Sequence, residues 1–193
     1  MSLYIRPLVF GSSAQLGLSP PEEYSFVVFV VPTGVYHGVH PVACLLLEDF
    51  DRAAPKGTGA VKVGGNYAPV LKYSEQAKKE GYGITLHVDS QTRTYIDEFS
   101  TSGFIGVKYG AERTEVIVAD SENVIQSVTV RSVEEIARAR GWKVERRKVR
   151  FEEVEGLDEV MAAGTAAALV PVKSITRKSD GFMKEYAYGD ENP

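Results

Sequence analysis

Short runs of β-branched and aromatic residues, each ended by proline or glycine, are the feature that most restricts the fold of this chain. The segment from Ser25 to Val31 reads S-F-V-V-F-V-V and meets Pro32, which predicts a fully buried strand. The apolar run from Pro41 to Leu47 predicts another strand. A chain built from such segments is expected to have a large strand content.

Further strands are predicted later in the chain, where apolar segments alternate with turn residues. They cover residues 83–88, 93–99, 103–107, 115–119 and 142–149, and a turn at Gly164 leads into a short apolar element that ends at Val172. The first four of these segments are expected to form an antiparallel meander.

Two helices are predicted among these strands. The pattern of residues 68–79 suits a helix that closes at Gly81. Residues 132–135 read S-V-E-E, a capping-box pattern, and the helix that contains them is expected to be entered around residues 127–130 and to run to Gly141. The expected fold class is therefore α+β.

The composition excludes several classes of protein. A net charge of −4 and 44% hydrophobic residues are typical of a soluble globular protein and give no reason to expect a nucleic acid or an anionic membrane as partner. The single cysteine, Cys44, excludes an internal disulfide and is expected to be a small buried hydrophobe. No secretory signal or membrane span is recognisable, so a cytoplasmic location is expected, or a mitochondrial one for a longer precursor. The histidines lack companions at ligand spacing, and no metal site is predicted.

The segment from Gly57 to Tyr67, G-T-G-A-V-K-V-G-G-N-Y, is the sharpest chemical feature. Lys62 lies between apolar residues in a glycine-rich loop, so it is a candidate for an amine withdrawn from water. A lowered pKa would then leave the neutral amine able to attack a carbonyl. As a bare motif, a lysine between glycines is more often a solvated loop residue, and the stretch has neither a Walker nor a Rossmann pattern.

Four motifs in a fixed order carry a family resemblance. They are L-Y-I-R-P-L at residues 3–8, K-V-G-G-N-Y at 62–67, T-Y-I-D-E-F-S-T-S at 94–102, and G-T-A-A at 164–167. Together they resemble the class IV (fold type IV) aminotransferases that depend on pyridoxal 5′-phosphate (PLP), most closely the branched-chain amino-acid aminotransferases of fungal type. The resemblance implies a D-amino acid aminotransferase-like large domain over residues 1–176, a mostly antiparallel β pseudo-barrel with flanking helices. Residues 177–193 are expected to be a polar tail.

The resemblance assigns roles around the cofactor ring. Lys62 matches the lysine that forms a Schiff base with PLP and then moves the α-proton of the substrate as general base and acid. Glu98 matches the glutamate that faces the pyridine nitrogen and keeps it protonated. Tyr67 matches a tyrosine that hydrogen-bonds near the cofactor phenolate and phosphate. Without the resemblance, Asp97 and Glu98 would be taken for surface charge at the end of a strand.

The resemblance also assigns phosphate and substrate contacts. Thr129 and Val130 match the segment whose backbone amides meet the phosphate at a helix N-terminus. Thr165 matches the second phosphate contact, although a plain turn residue is the simpler interpretation of this position. The positions matched to the substrate side of the pocket are Tyr4, Arg6 and Ala166. An edge strand with solvated polar residues is the alternative for the first two.

Several positions depart from the family pattern. Relatives carry a smaller N-terminal domain before the strand at residues 3–8, and they continue into a final helix where this chain ends. Gly103 stands where many relatives have asparagine, and residues 123–128 lack the usual Pro-Gly. Ala167 and Val170 occupy the places of the paired cysteines found in some animal members.

The expected function is PLP-dependent transfer of an amino group between a branched-chain amino acid and a 2-oxo acid such as 2-oxoglutarate. A homodimer, or a partner chain that covers the missing domain, is expected. Two alternatives stay open because one fold hosts many reactions. The first is a shortened paralogue with a lyase, isomerase or cofactor-free reaction in specialised metabolism. The second is a non-catalytic binding or assembly subunit.

Overall fold

The computed structural model describes residues 2–34 and 40–188 of the chain. The chain divides into two compact units, Met1–Tyr36 and His37–Pro193, whereas the sequence predicts one domain over residues 1–176. Among the described residues, no helix has the length and apolar character needed to cross a membrane.

The first unit is an antiparallel hairpin of β1 (Ser2–Gly11) and β2 (Tyr24–Thr33). The predicted strand at residues 25–31 is present and continues through Pro32, which pairs with Leu3. The prediction that it is fully buried is wrong, because large side chains such as Phe26 are exposed. A two-stranded ribbon has no second layer within itself against which its apolar faces could be buried.

The second unit contains most of the secondary structure. Its strands are β3 (Val42–Leu46), β4 (Ile84–Val88), β5 (Ile96–Phe99), β6 (Gly103–Tyr109), β7 (Thr114–Ala119), β8 (Lys143–Arg147), β9 (Glu159–Gly164), β10 (Ala168–Arg177) and β11 (Phe182–Glu185). Its helices are α1 (Ala68–Lys79) and α2 (Val128–Ala139), with 3-10 turns at Gly64–Asn66 and Phe151–Gly156. The α+β class with a large strand content is confirmed.

The strands form one mixed sheet in the order β5-β4-β3-β10-β9-β6-β7-β8, and β11 pairs with β10. The pairs β3–β4, β3–β10 and β7–β8 are parallel, and the other pairs are antiparallel. The predicted meander is therefore wrong, because β5 pairs with β4 while β6 pairs with β7 and β9. Strands β3, β10 and β9 lie between the pair β4–β5 and the pair β6–β7, so pairs that follow one another in the sequence are apart in the sheet.

Strand β10 joins the two halves of this sheet. Its residues 168–171 pair with β9, and from Val172 onward it pairs with β3 and β11. Cys44 and Ile175 are fully buried where β3 meets β10, so the prediction of a buried cysteine is confirmed. Nearby, the stacked rings of Phe99 and Phe104 have centroids 5.7 Å apart.

The segment after Arg177 is not the unpacked polar tail that the sequence predicts. Residues Phe182–Glu185 form β11, and Tyr186 is buried and donates its hydroxyl to the Val154 carbonyl at 3.0 Å. The Tyr188 hydroxyl contacts the Val160 carbonyl at 2.7 Å. Polar residues surround Tyr186 and Tyr188 in the sequence, so no apolar pattern predicts that this segment packs. Residues 189–193 lie outside the described part of the chain.

Helix α1 has the bounds predicted from the sequence and ends just before Gly81. Helix α2 begins at Val128 with Ser127 as its N-cap, so the S-V-E-E pattern lies inside the helix and does not cap it. Glu134, from that pattern, is buried and accepts two hydrogen bonds from Arg146 of β8 at 2.9 and 3.1 Å. This ion pair ties α2 to the sheet.

We expect Ile175→Ala to lower the free energy of unfolding by about 2–5 kcal/mol, because it leaves a cavity where β3, β10 and β11 meet. Ile136→Ala is the matched control, since the same atoms are removed from a side chain that is 57% exposed on α2. Urea denaturation followed by circular dichroism measures both. Equal unfolding midpoints for the two variants would contradict the assignment of Ile175 to the core.

Candidate functional site

The loop that carries Lys62 is held in shape by Asn66. The Asn66 amide nitrogen donates to the carbonyls of Thr58 at 2.6 Å and Val61 at 2.7 Å, and its amide oxygen accepts from the Thr58 hydroxyl at 2.9 Å. Only 6% of Asn66 is exposed. Because the side chain spans the loop just before Lys62, it determines where the lysine leaves the loop. The sequence does not predict this role, although Asn66 belongs to the K-V-G-G-N-Y motif.

Lys62 and Tyr67 lie together, and the predicted contact of Tyr67 with the cofactor stays a prediction. The Lys62 Nζ donates to the Tyr67 hydroxyl at 3.2 Å and lies 5.3 Å from the centre of its ring. Lys62 is exposed, so the prediction that the loop withdraws its amine from water is wrong for the chain by itself. The apolar neighbours Val61 and Val63 are exposed as well and give no shelter.

Glu98 lies in β5 with only 7% of its surface exposed, so the interpretation as surface charge is wrong. Its Oε1 forms an ion pair with Arg52 Nη2, and the two atoms are 2.8 Å apart. Burial raises the pKa of Glu98 from its ordinary value of 4.5 to about 7, while Arg52 lowers it, Asp97 raises it and Lys62 lowers it. The charge of Lys62 is therefore close enough to act on Glu98, which brings the two main predicted residues to one region.

Asp97, the neighbour of Glu98, is bound to the loop before α2. Its carboxylate accepts from the Ser121 hydroxyl at 2.6 Å and from the Asn123 amide at 3.4 Å. Burial raises the pKa of Asp97, and these two hydrogen bonds oppose that change. Asp97 thus fixes the loop at 121–123 against β5.

Asn123 is also the point where the Lys62 loop meets this region. Its carbonyl accepts from Arg52 Nη2 at 2.6 Å. A Cβ on Gly59 would lie 2.4 Å from the same carbonyl oxygen, so only glycine permits this close approach of the two backbones. Sequence reasoning missed Arg52 and Asn123. The glycine-rich composition of the Lys62 loop was the available signal that another segment packs against it.

The N-terminus of α2 opens on the same cavity as Glu98. Glu98, Ile125, Ser127 and Val130 are among the residues that line it. The sequence places Thr129 and Val130 before the helix, but both belong to its first turn. The Val130 amide already donates to the Ser127 hydroxyl at 3.2 Å. The earlier amides of the turn, including that of Thr129, are the N–H groups that a helix start offers to an anion.

Thr165 is exposed in the turn that joins β9 to β10. Gly103, at the start of β6, pairs with Ala163 of β9, and a Cβ on Gly103 would lie 2.7 Å from the Val130 side chain. The start of β6 therefore lies between the two segments predicted to contact phosphate. A larger residue at position 103 would require the Val130 side chain to move.

The predicted substrate residues lie in both units. In β1, Arg6 Nη2 donates to the Tyr4 hydroxyl at 3.0 Å, and the guanidinium lies 4.9 Å from the centre of the ring. Ala166 is half-buried in the turn after β9. Their contact with a substrate stays a prediction. In the described part of the chain, no group of three or more histidine, cysteine or acidic residues could hold a metal ion.

Comparison with known proteins identifies relatives of the whole chain. Residues 1–175 match the family described as amino-transferase class IV. Aminotransferase atnJ of Emericella nidulans is 51% identical over 98% of this chain and 56% of its own length. Branched-chain amino acid aminotransferase gloG of Glarea lozoyensis is 50% identical over 100% of this chain and 54% of its own length. The chain thus spans about half the length of these relatives.

Solved structures share the fold. A branched-chain aminotransferase from the archaeon Thermoproteus uzoniensis superposes with a TM-score of 0.83 at 23% identity, over 97% of this chain and 60% of that one. The branched-chain amino acid aminotransferase from Escherichia coli has a TM-score of 0.75 at 28% identity, over 90% of this chain and 56% of that one. The D-amino acid aminotransferase-like fold expected from the sequence is confirmed.

We expect Asn66→Ala to lower the free energy of unfolding by about 1–3 kcal/mol, because the Thr58 and Val61 carbonyls lose their buried donor. Gln76→Ala is the control, since it removes an amide from an exposed hydrogen bond on α1. Urea denaturation measures the difference. A variant as stable as the control would show that Asn66 does not hold the loop.

The pH dependence of stability tests the environment of Glu98. Its pKa is raised from 4.5 to about 7 in the folded chain, so the folded state holds more protons than the unfolded state between these two values. The free energy of unfolding then falls as pH rises through this window, by up to about 1.4 kcal/mol per pH unit. Glu98→Gln should flatten this slope, whereas Glu135→Gln, an exposed carboxyl on α2, should keep it. Identical slopes for wild type and Glu98→Gln would refute the assignment.

Proposed function

Because the chain belongs to the class IV aminotransferase family, we propose that it holds PLP and moves an amino group between an amino acid and a 2-oxo acid. The observation that carries this proposal is the convergence of Lys62, Glu98 and the N-terminus of α2 within one unit. Since the chain spans about half the length of its relatives, the activity of the whole protein is part of the proposal.

Class IV aminotransferases depend on PLP, and the residues present fit this group. An amine, an acid and a set of N–H donors are what its aldehyde, ring nitrogen and phosphate require. Lys62 supplies the amine, and buried Glu98 supplies the acid. The first turn of α2 and the turn at Thr165 supply donors for the phosphate. When bound, PLP acts as an electron sink for the carbanion formed at the substrate α-carbon.

The proton transfer falls to Lys62. Its Nζ would take the proton from the α-carbon of the substrate as general base. The protonated amine would then give that proton up again as general acid. The Tyr67 hydroxyl, 3.2 Å from Nζ, holds the amine in position between the two steps. Because Lys62 is exposed in this chain, bound cofactor and substrate would be what shields its amine from water.

Glu98 sets the charge of the ring nitrogen. A carboxylate there favours the protonated ring, which draws electrons from the substrate more strongly. The pKa of Glu98 is about 7 in the chain by itself. A hydrogen bond from the ring nitrogen would lower this pKa, since hydrogen bonding to the charged form of an acid stabilises that form.

Branched-chain amino acids are the substrate class that we propose, with 2-oxoglutarate as the natural type of acceptor. The support comes from the Glarea lozoyensis relative and from the solved structures, whose names specify branched-chain substrates. The name of the Emericella nidulans relative specifies only an aminotransferase. Tyr4, Arg6 and Ala166 are the proposed substrate contacts. A cytoplasmic homodimer, or a complex with a partner chain, is the proposed state of the protein.

Absorption spectroscopy with and without added PLP tests the cofactor. We expect a yellow complex that borohydride converts to a stable adduct on Lys62, identified by peptide mass spectrometry. Lys62→Ala should abolish the adduct, whereas Lys72→Ala, which removes an exposed lysine from α1, should retain it. A colourless wild-type protein that takes up no PLP would overturn the proposal.

Turnover decides the reaction. Transfer from leucine to 2-oxoglutarate, reduced at least about a thousandfold in Lys62→Ala, is the expected result, because the lysine acts in every proton transfer. A yellow protein that consumes leucine without forming glutamate would point instead to lyase or isomerase chemistry. PLP uptake without any turnover would indicate a binding subunit.

A further inference from the structure

Arg52 is a buried cation whose hydrogen bonding is incomplete within the protein. Its side chain is 1% exposed. A single nitrogen, Nη2, donates to the Asn123 carbonyl and forms the ion pair with Glu98, while Nε and Nη1 have no hydrogen-bond partner among the described residues. A buried guanidinium with unused donors is unfavourable for stability. Its presence beside the acid of the site therefore calls for a functional explanation.

The groups around Glu98 differ in whether they favour its neutral or its ionised form. Asp97 is adjacent and buried, so two carboxyl groups share a region that excludes water. Both burial and this neighbour favour the neutral form of Glu98. Lys62 opposes them from an exposed position, where water screens its charge. Arg52 opposes them from the buried side at 2.8 Å.

His87 does not replace Arg52 as a buried cation. It lies in β4 with 1% of its surface exposed and contacts the Thr85 hydroxyl at 3.3 Å. Burial, and then the charge of Arg52, lower the pKa of His87 to about 3, so the ring is neutral at physiological pH. Arg146 lines the same cavity as Glu98 but pairs with Glu134. Among the described residues, the cation in direct contact with Glu98 is Arg52.

We propose that Arg52 is the positioning residue of Glu98, which it keeps ionised and oriented for the ring nitrogen of PLP. This inference rests on the proposed function. It assigns to Arg52 no contact with the cofactor, because Arg52 acts through the carboxylate. The link to the Asn123 carbonyl adds a second effect, since it holds the guanidinium at the point where the Lys62 loop packs.

A purely structural role for Arg52 makes a different prediction. If Arg52 only joined β5 to the loop at Asn123, its removal would weaken PLP binding to the same extent whether or not position 98 carries an acid. If it acts through Glu98, its removal matters only when that acid is present. A double-mutant cycle separates these cases.

The experiment measures PLP affinity by absorption titration for wild type, Arg52→Met, Glu98→Gln and the double variant. We expect Arg52→Met to weaken binding about tenfold or more, as for a shift of one pKa unit in the acid. In the Glu98→Gln background the same change should alter affinity by less than about twofold. Arg52→Lys, which keeps the charge without the planar guanidinium, should recover part of the affinity. Equal losses in both backgrounds would overturn the proposal.

The ionisation of Glu98 can also be measured in protein without cofactor, by NMR. In protein with carboxyl-labelled glutamate, the NMR signal that is absent from Glu98→Gln reports the titration of Glu98. Arg52→Met should move this titration upward by about one pH unit or more, and an unchanged midpoint would refute the proposal. Should Arg52→Met fail to fold, Arg52→Gln, which removes the charge and keeps a polar side chain, provides the same comparison.

The two proposals fail in distinguishable ways. A wild-type chain that takes up no PLP overturns the proposed function and with it the orientation of Glu98 toward the ring. The NMR titration then still decides whether Arg52 controls the ionisation of Glu98. A chain that binds PLP but shows an unchanged titration in Arg52→Met retains the proposed function and loses this inference.

Discussion

The buried ion pair between Arg52 and Glu98 is the interaction on which the arrangement of the site depends. It neutralises an acid that β5 places in the interior, and through the Asn123 carbonyl it joins that acid to the loop before α2. A buried charge pair of this kind adds little net stability, because both groups lose their hydration. Its value lies in geometry, since the guanidinium can reach the carboxylate and the carbonyl together only when strand and loop hold one position.

Close packing at two glycines completes this arrangement. Gly59 brings the Lys62 loop against Asn123, and Gly103 brings the first turn of α2 against β6. At each position a Cβ would collide with its neighbour. The lysine, the acid and the helix N-terminus come from segments far apart in the sequence, and these two contacts together with the Asn66 hydrogen bonds set their spacing.

Local patterns predicted some elements well and others poorly. The bounds of α1 follow from its periodicity and from Gly81, and the buried strand β3 follows from an uninterrupted apolar run. The burial of β2, the meander from β4 to β7 and the tail after Arg177 were predicted wrongly. Each of these depends on which segment lies alongside. The residue pattern of a strand shows which of its faces is apolar, but it does not show which strand pairs with it. The S-V-E-E pattern misled for the same reason, since Glu134 pairs with Arg146 of β8 instead of capping its own helix.

The sequence by itself determined the α+β class and the family, and it indicated Lys62, Tyr67 and Glu98 as candidate site residues, because short motifs in a fixed order are typical of the family. Only the tertiary structure decided that Glu98 is buried, that Arg52 accompanies it and that Asn123 joins the two loops. Burial and partnership arise from contacts between distant segments, and the pKa of an acid depends on those contacts more than on the residue itself. Arg52 lies ten residues before Lys62 in a stretch without a recognisable motif. Nothing in the neighbouring sequence distinguishes it from a surface arginine, and its burial is seen only in the folded chain.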